Sequence, residues 1–393
     1  MRKISADVLY PVSSEPIPGG VVITDGDGRI LAIEHSRDGH DPSSLEIHKG
    51  AIIPGFINTH CHLELSHMKG RVATGTSLLP FLKSVVAFRE TTMEEILEAI
   101  TRADEEMYRE GIVAVGDISN KADTVVQKDR SRLRYYTFVE MFDFLQEEMA
   151  EATFSRYFEV FEQQSTANGN RKSCVPHAPY TVSRALFQKT NAVNQSGQTV
   201  SIHNQETPHE NEFFLRKSGG FMDFYAQFGF PLDHFHPSGK TSIHYAIENL
   251  RSDMRVLFVH NTTTGPQDIA AAQEWNPNVF WATCPNANLY IENRLPYYRY
   301  FLDSGARVTL GTDSLTSNWQ LSILEEMKTI ARFQSYVPFE TLLRWATLNG
   351  AQALGFEDDL GSLEPGKKPG VLLLSGLDAA FQLTAQTSVQ RLL

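Results

Sequence analysis

Apolar, β-branched runs that end in polar or Gly/Pro residues recur along this chain at regular intervals, and they predict strands. The runs are AIIPGFINTH (51–60), GIVAVGDIS (111–119), LRYYTFVEM (133–141), SCVPHAPY (173–180), TVSIHNQE (199–206), RVLFVHNT (255–262), NVFWATCP (278–285) and ARVTLGTDS (306–314). Stretches with helical periodicity separate most of them, such as TMEEILEAITRADEEMYREG (92–111) and LSILEEMKTIARFQSY (321–336). Strands this continuously apolar suit a parallel sheet buried on both faces. Eight strand–helix units predict an α/β chain folded as a (β/α)8 TIM barrel, a fold of ~250 residues before insertions. The barrel is expected over residues 54–354. The two ends share a different texture of short strands and turns, and residues 1–53 and 355–393 are expected to pair into one small β-sandwich. The longest break in the rhythm, 207–250, is rich in Phe, His and Gly and reads as a lid or substrate loop.

In such a barrel the C-terminal ends of the strands line one shared mouth. His60 and His62 end the first strand, two residues apart and therefore on one face. His203 ends the fifth and Glu206 follows three residues later; His260 ends the sixth and Asp313 the eighth. Polar strand ends hydrogen-bonded to loops would explain any one of these. As a set on four strands they point to a metal site, because imidazoles with a carboxylate suit Zn²⁺ or Fe²⁺. A catalytic site of this kind keeps one position open for water.

Composition narrows the class further. The formal charge of -12 argues against a nucleic-acid partner. No apolar run approaches the ~20 residues of a membrane span. The N-terminus does not read as a signal peptide, and Cys61, Cys174 and Cys284 are too scattered for a disulfide framework. A cytoplasmic enzyme acting on a small molecule is expected, its oligomeric state open.

The motifs resemble the amidohydrolase superfamily across almost the whole chain. PGFINTHCH is similar to its first-strand motif, IHNQE to the His-x-x-Glu of its deaminases, and LFVHNT and LGTDS to its sixth and eighth strands. PHAPYTVS (176–183), CPNANL (284–289) and GSLEPGK resemble segments of the cytosine, guanine and adenosine-analogue deaminase branch, and HLELS resembles the aminofutalosine deaminases. The resemblance implies that His60, His62, His203 and Asp313 hold one divalent transition metal, zinc or iron. It implies that Glu206 shuttles protons and that His260 hydrogen-bonds and polarises the attacking hydroxide. Two-metal members bridge their ions with a lysine or carboxylate, usually from the fourth strand. Here that strand ends in His177, and Lys172 lies at its other end, so a single metal is expected. The implied reaction replaces an exocyclic amine of a purine-like nucleoside or related heterocycle with oxygen. A chloro-s-triazine or cyclic-amide hydrolase on the same site, or a catalytically silent barrel that binds a ligand, are the alternatives.

Other residues carry weaker signals. His177 matches a substrate-contacting position of the deaminase branch, and Glu64 is open between a substrate hydroxyl and a structural role. His67 reads as a loop residue, Arg89 as an exposed ion-pairing residue in preference to a substrate-carboxylate partner, and Glu140 as an acid that reaches the mouth or caps the next helix. His209, His234, His236 and His244 read as surface residues and Trp319 as packing.

Overall fold

The computed structural model describes residues 1–393. Its centre is two parallel four-stranded sheets. The first contains Phe56–Cys61, Ile112–Ser119, Arg134–Met141 and Arg171–Pro176 in sequence order, and the second Thr199–Asn204, Arg255–His260, Val279–Thr283 and Val308–Leu310. Each lies within or overlaps one of the eight expected runs, in the expected order. Their side chains are almost all buried on both faces, which is why the runs lack polar alternation.

Hydrogen bonds join the two sheets at both seams. The amides of Thr312 and Asp313 each donate to His60 O at 3.0 Å, and the His203 amide donates to His177 O at 2.9 Å. Asn58 ties the first of these seams again: its Oδ1 accepts from Thr312 N at 3.1 Å and its Nδ2 donates to Thr312 Oγ1 at 2.8 Å. Gly311 permits the close approach, since a Cβ there would sit 2.8 Å from His60 Cβ and 2.9 Å from His60 O. The arrangement is consistent with a TIM barrel, with helix Met93–Arg109 between the first two strands and helix Ile323–Phe333 after the eighth.

The first run divides in two. Ala51–Pro54 pairs antiparallel with Val371–Ser375, whereas Phe56–Cys61 belongs to the parallel sheet. Pro54 has no N–H to continue a ladder, and Gly55 lies where a Cβ would meet Pro369 O at 2.6 Å. Strands from both ends of the chain thus share a five-stranded sheet, and a second, four-stranded sheet comes from the first fifty residues. Ile4, Leu9, Val22, Ile52, Val371 and Leu373 form one buried cluster between them.

The segment 207–250 is no loop. It forms helices Pro208–Arg216, Gly220–Phe228 and Ser242–Asn249. Its aromatic residues pack mainly on one another, as in the stacked rings of Phe213 and Phe235 with centroids 4.3 Å apart. Aromatic richness here serves a local core. No helix is long and apolar enough to cross a membrane.

Candidate metal centre and active site

Several strand ends turn through left-handed backbone where the candidate residues sit. His260 has φ 73°, Asp313 φ 57° and Gln205, next to Glu206, φ 48°. Non-glycine residues rarely adopt such angles, and they concentrate at functional sites where surrounding bonds enforce them. Here the enforcing bonds are visible. Glu210 accepts from Gln205 N at 3.0 Å and Glu206 N at 3.2 Å, and Thr262 Oγ1 donates to Glu206 O.

These turns bring the expected residues together. His60 Nε2 and His62 Nε2 lie 3.2 Å apart, and Asp313 Oδ1 is 3.6 Å from the first and 3.4 Å from the second. The His203 ring centroid is 4.9 Å from that of His60 and 5.5 Å from that of His62. His260 stands 5.5 Å from His203, ring to ring, with its Nε2 3.8 Å from Glu206 Oε1. His62, His203, Glu206, His260 and Asp313 all line one cavity of about 180 Å³, and His177 lines it too.

The donor set suits a divalent transition metal. Burial pulls His60 and His62 down to about 4, so both imidazoles are neutral and able to donate a lone pair. Burial opposes ionisation of Asp313, but the surrounding imidazoles outweigh it and hold the carboxyl well below its ordinary range. Ser317 Oγ donates to Asp313 Oδ2 at 2.5 Å and fixes its orientation. Burial also works against a charged His203, yet its hydrogen bond to Glu140 and that residue's charge raise it to about 9. His203 Nδ1 donates to His177 O at 2.9 Å and faces Glu140 Oε1 at 3.3 Å, which leaves Nε2 for a cation. A metal there satisfies the same field that otherwise favours a proton.

The acid–base residues differ from the ligands in surroundings. Burial pushes the Glu206 carboxyl well above its ordinary value. His260 is pulled down to about 4 by burial. Its Nδ1 lies 2.8 Å from Asn288 Oδ1, while Asn288 Nδ2 faces His260 O at 3.4 Å. That pairing assigns the N–H to Nδ1 and leaves Nε2 an acceptor toward Glu206.

Three differences from the sequence reading stand out. Glu64 does not line the cavity: its Oε2 accepts from Asn120 N at 2.9 Å and Lys121 N at 3.0 Å, one layer behind the wall, so it is not placed to touch a substrate. Glu140, open between reaching the mouth and capping a helix, lines the cavity, and Arg89, expected as an exposed ion-pairing residue, lines it too while facing Glu64 Oε1 at 3.6 Å. Of the insertion 207–250, only Phe224 does so; most of the apolar wall comes from helix Leu78–Phe88 and from Phe142, Phe144, Tyr180 and Ile291. Asn288 and Ser317 had no signal of their own in the sequence beyond lying in or beside quoted motifs. Lys172 is far from the site, where its ammonium caps the end of helix Ala150–Gln163 through Phe161 O and Gln164 O.

The profile of the Amidohydrolase family matches residues 51–390. The chain belongs to the amidohydrolase family. Among curated relatives of this amidohydrolase, the aminodeoxyfutalosine deaminase of Nitratiruptor sp. is 27% identical over 360 residues, covering 85% of this chain and 80% of that one. The 5'-deoxyadenosine deaminase of Methanococcus vannielii is 28% identical over 330 residues, covering 80% and 72%. The crystal structure of Helicobacter pylori aminofutalosine deaminase in complex with methylthio-coformycin shares the fold, with a TM-score of 0.79 at 22% identity over 98% of this chain and 94% of that one.

Proposed function

We propose that this amidohydrolase is a single-metal aminohydrolase that replaces the exocyclic amine of an adenosine-type nucleoside with oxygen and releases ammonia. The observation that carries the reading is the pair of overlapping donor groups His60–His62–His203 and His60–His260–Asp313, with Asp313 Oδ1 also 3.4 Å from His62 Nε2 and Glu206 beside His260. The curated relatives that deaminate adenosine analogues support it. In this reading the two parallel sheets close as a (β/α)8 barrel over 54–354, and residues 1–53 and 355–393 form a β-sandwich beside it. The protein acts in the cytoplasm.

His60, His62, His203 and Asp313 would hold one divalent transition metal, zinc in preference to iron. When bound, that metal supplies Lewis acidity, which makes water nucleophilic near neutral pH. His260 Nε2, left free by the Asn288 bond, accepts a hydrogen bond from the attacking water and aims it at the amine-bearing carbon. Glu206 takes a proton from that water and delivers it to the adjacent ring nitrogen; it then takes the remaining proton of the added hydroxyl and passes it to the amine, which leaves as ammonia as the C–N bond breaks and the C=O forms. Its raised pKa suits a group that must both hold and surrender a proton. His177, anchored through Nδ1 to Thr181 Oγ1 at 2.7 Å, presents its other nitrogen to the substrate.

Two measurements test the reading. Metal analysis of the purified protein is expected to give one tightly held transition metal per chain; a stoichiometry of two, with both ions required, overturns the single-metal assignment. A screen for ammonia release is expected to favour adenosine-type nucleosides over free adenine, guanine and cytosine, and over triazines and cyclic amides. Preference for a free base or a triazine would replace the nucleoside reading. Glu140→Gln is a finer check. Removing the charge that orients His203 is expected to weaken metal retention by about 10–100-fold, read by competition with a chelator. Unchanged retention would show that Glu140 does not orient that ligand.

A further inference from the structure

A buried carboxylate outside the cavity joins the hydrogen bonds of two catalytic groups. Glu326, on helix Ile323–Phe333, is 0% exposed. Its Oε2 accepts from Asn286 N at 2.8 Å, and its Oε1 accepts from Asn286 Nδ2 at 3.0 Å and Asn318 Nδ2 at 2.8 Å. Burial pushes this carboxyl up to about 8, the three N–H donors pull against it, and the charge of Asp313 adds to the rise. All three partners are uncharged amides. A side chain needed only to fill this space would be apolar, because a buried carboxylate without a cation is costly. Asn286 is the second residue of helix Pro285–Glu292, and Asn288, two residues on, holds His260 Nδ1 at 2.8 Å. Asn318 Nδ2 also donates to Thr312 O at 2.8 Å, on the residue before Asp313, while the neighbouring Ser317 holds Asp313 Oδ2. Both amides are pinned: Asn286 Oδ1 accepts from Thr329 Oγ1 at 2.5 Å, and Asn318 Oδ1 from Trp319 N at 2.8 Å.

We propose that Glu326 is a positioning residue for the reaction: it locks the turn that carries Asp313 and Ser317 to the helix that carries Asn288, so that Asp313 and His260 keep one mutual placement. This rests on the aminohydrolase reading and adds a residue to its machinery. A carboxylate suits the role because both of its oxygens accept. In a glutamine one oxygen becomes an NH2 group, which would face a donor. The pinned amides of Asn286 and Asn318 cannot turn to accept from it without giving up their other bonds. Glu326→Gln therefore loses one of the two ties, and either His260 or Asp313 gains freedom to shift. Reacting groups tolerate little displacement, so the loss falls on the chemical step. Glu326, Asn286 and Asn318 do not line the cavity, so substrate binding is left alone.

The test uses the full chain, loaded with zinc for ammonia release from 5′-deoxyadenosine and with cobalt(II) for visible absorption. Glu326→Gln is expected to lower kcat by about 10-fold, the lower end for loss of an outer hydrogen-bonding partner, with KM little changed. Its cobalt bands should shift, because the ligand Asp313 is no longer held in one orientation. Asn318→Ala cuts the tie to the Asp313 turn and leaves Glu326 bonded to Asn286. It should show the same two changes, and it decides the matter if Glu326→Gln does not fold. Combined with Asn288→Ala, Glu326→Gln should add less than its own loss, since both act through His260. Asp104→Asn is the control. Asp104 is a buried carboxylate that accepts from Gln127, Ser131 and Tyr135, the last near the start of strand Arg134–Met141 and away from the mouth. This control should lower Tm and leave kcat and the cobalt bands as they are. Unchanged kcat and bands in folded Glu326→Gln or in Asn318→Ala, fully additive losses with Asn288→Ala, or the same changes in Asp104→Asn overturn the proposal. A cobalt shift in Glu326→Gln, with no ammonia released by the wild type from any adenosine-type nucleoside, keeps Glu326 in its role and overturns the aminohydrolase reading instead.

Discussion

Glu206→Gln is expected to retain its metal and lose turnover by about 10²–10⁴-fold, the usual contribution of a general acid–base group. Glutamine fills the same volume and can hydrogen-bond, but it cannot carry a proton from one atom to another. The effect should fall toward the upper end, because one carboxyl serves the ring nitrogen and then the leaving amine. The fold around it should persist. The Glu206 backbone is held by Glu210 and Thr262 through main-chain atoms that the substitution leaves in place. Burial raises the Glu206 pKa, so replacing it with a neutral amide removes a buried ionisable group without leaving an unpaired charge behind. Metal content and steady-state ammonia release on the same preparation decide the outcome. Most of the activity surviving would remove Glu206 from the mechanism, and loss of the metal would make it a ligand.

Asp313→Asn should strip the site of metal and abolish turnover together. Asp313 is the only carboxylate close to the paired nitrogens of His60 and His62, and both imidazoles are neutral. Losing it removes the one anionic donor among the four. The cost in metal affinity should exceed the ~10–100-fold that loss of an outer hydrogen-bonding partner brings. Asparagine also tolerates the left-handed backbone at this position, where φ is 57°, so the substitution tests charge more than conformation. Chelator competition measures the affinity, and ammonia release with increasing added zinc shows whether activity tracks occupancy. Full occupancy with little activity would instead assign Asp313 to proton handling.

The parts legible in the sequence share a local cause. Strands buried on both faces must be continuously apolar, and that character lies in consecutive residues. His60, His62, His203, His260 and Asp313 stood out because they end such runs, and a strand end in this topology has only one place to go. Glu140 also ends a strand, yet its partnership with His203 depends on a neighbour distant in sequence. The places of Glu64 and Arg89 relative to the cavity were not legible for a related reason. The turn after His62 folds Glu64 behind the cavity wall, and helix Leu78–Phe88 swings Arg89 onto it. Neither displacement leaves a mark in the adjacent residues. In 207–250, aromatic content suggested a ligand wall, but Phe213, Phe214, Phe221 and Tyr225 bury one another. Composition does not say which partner an aromatic ring meets.

The sequence by itself determined the eight strand positions, the order in which their ends carry chemistry, and the donor types available there. Only the tertiary structure decided which nitrogen of His203 stays free, that Asn288 sets the tautomer of His260, and that Ser317 orients Asp313. It also decided that one guanidinium closes an otherwise apolar wall. The reason is one of range: periodicity and strand ends are written in consecutive residues, whereas hydrogen bonds between side chains 4 to 28 positions apart depend on turns and packing that no local pattern encodes.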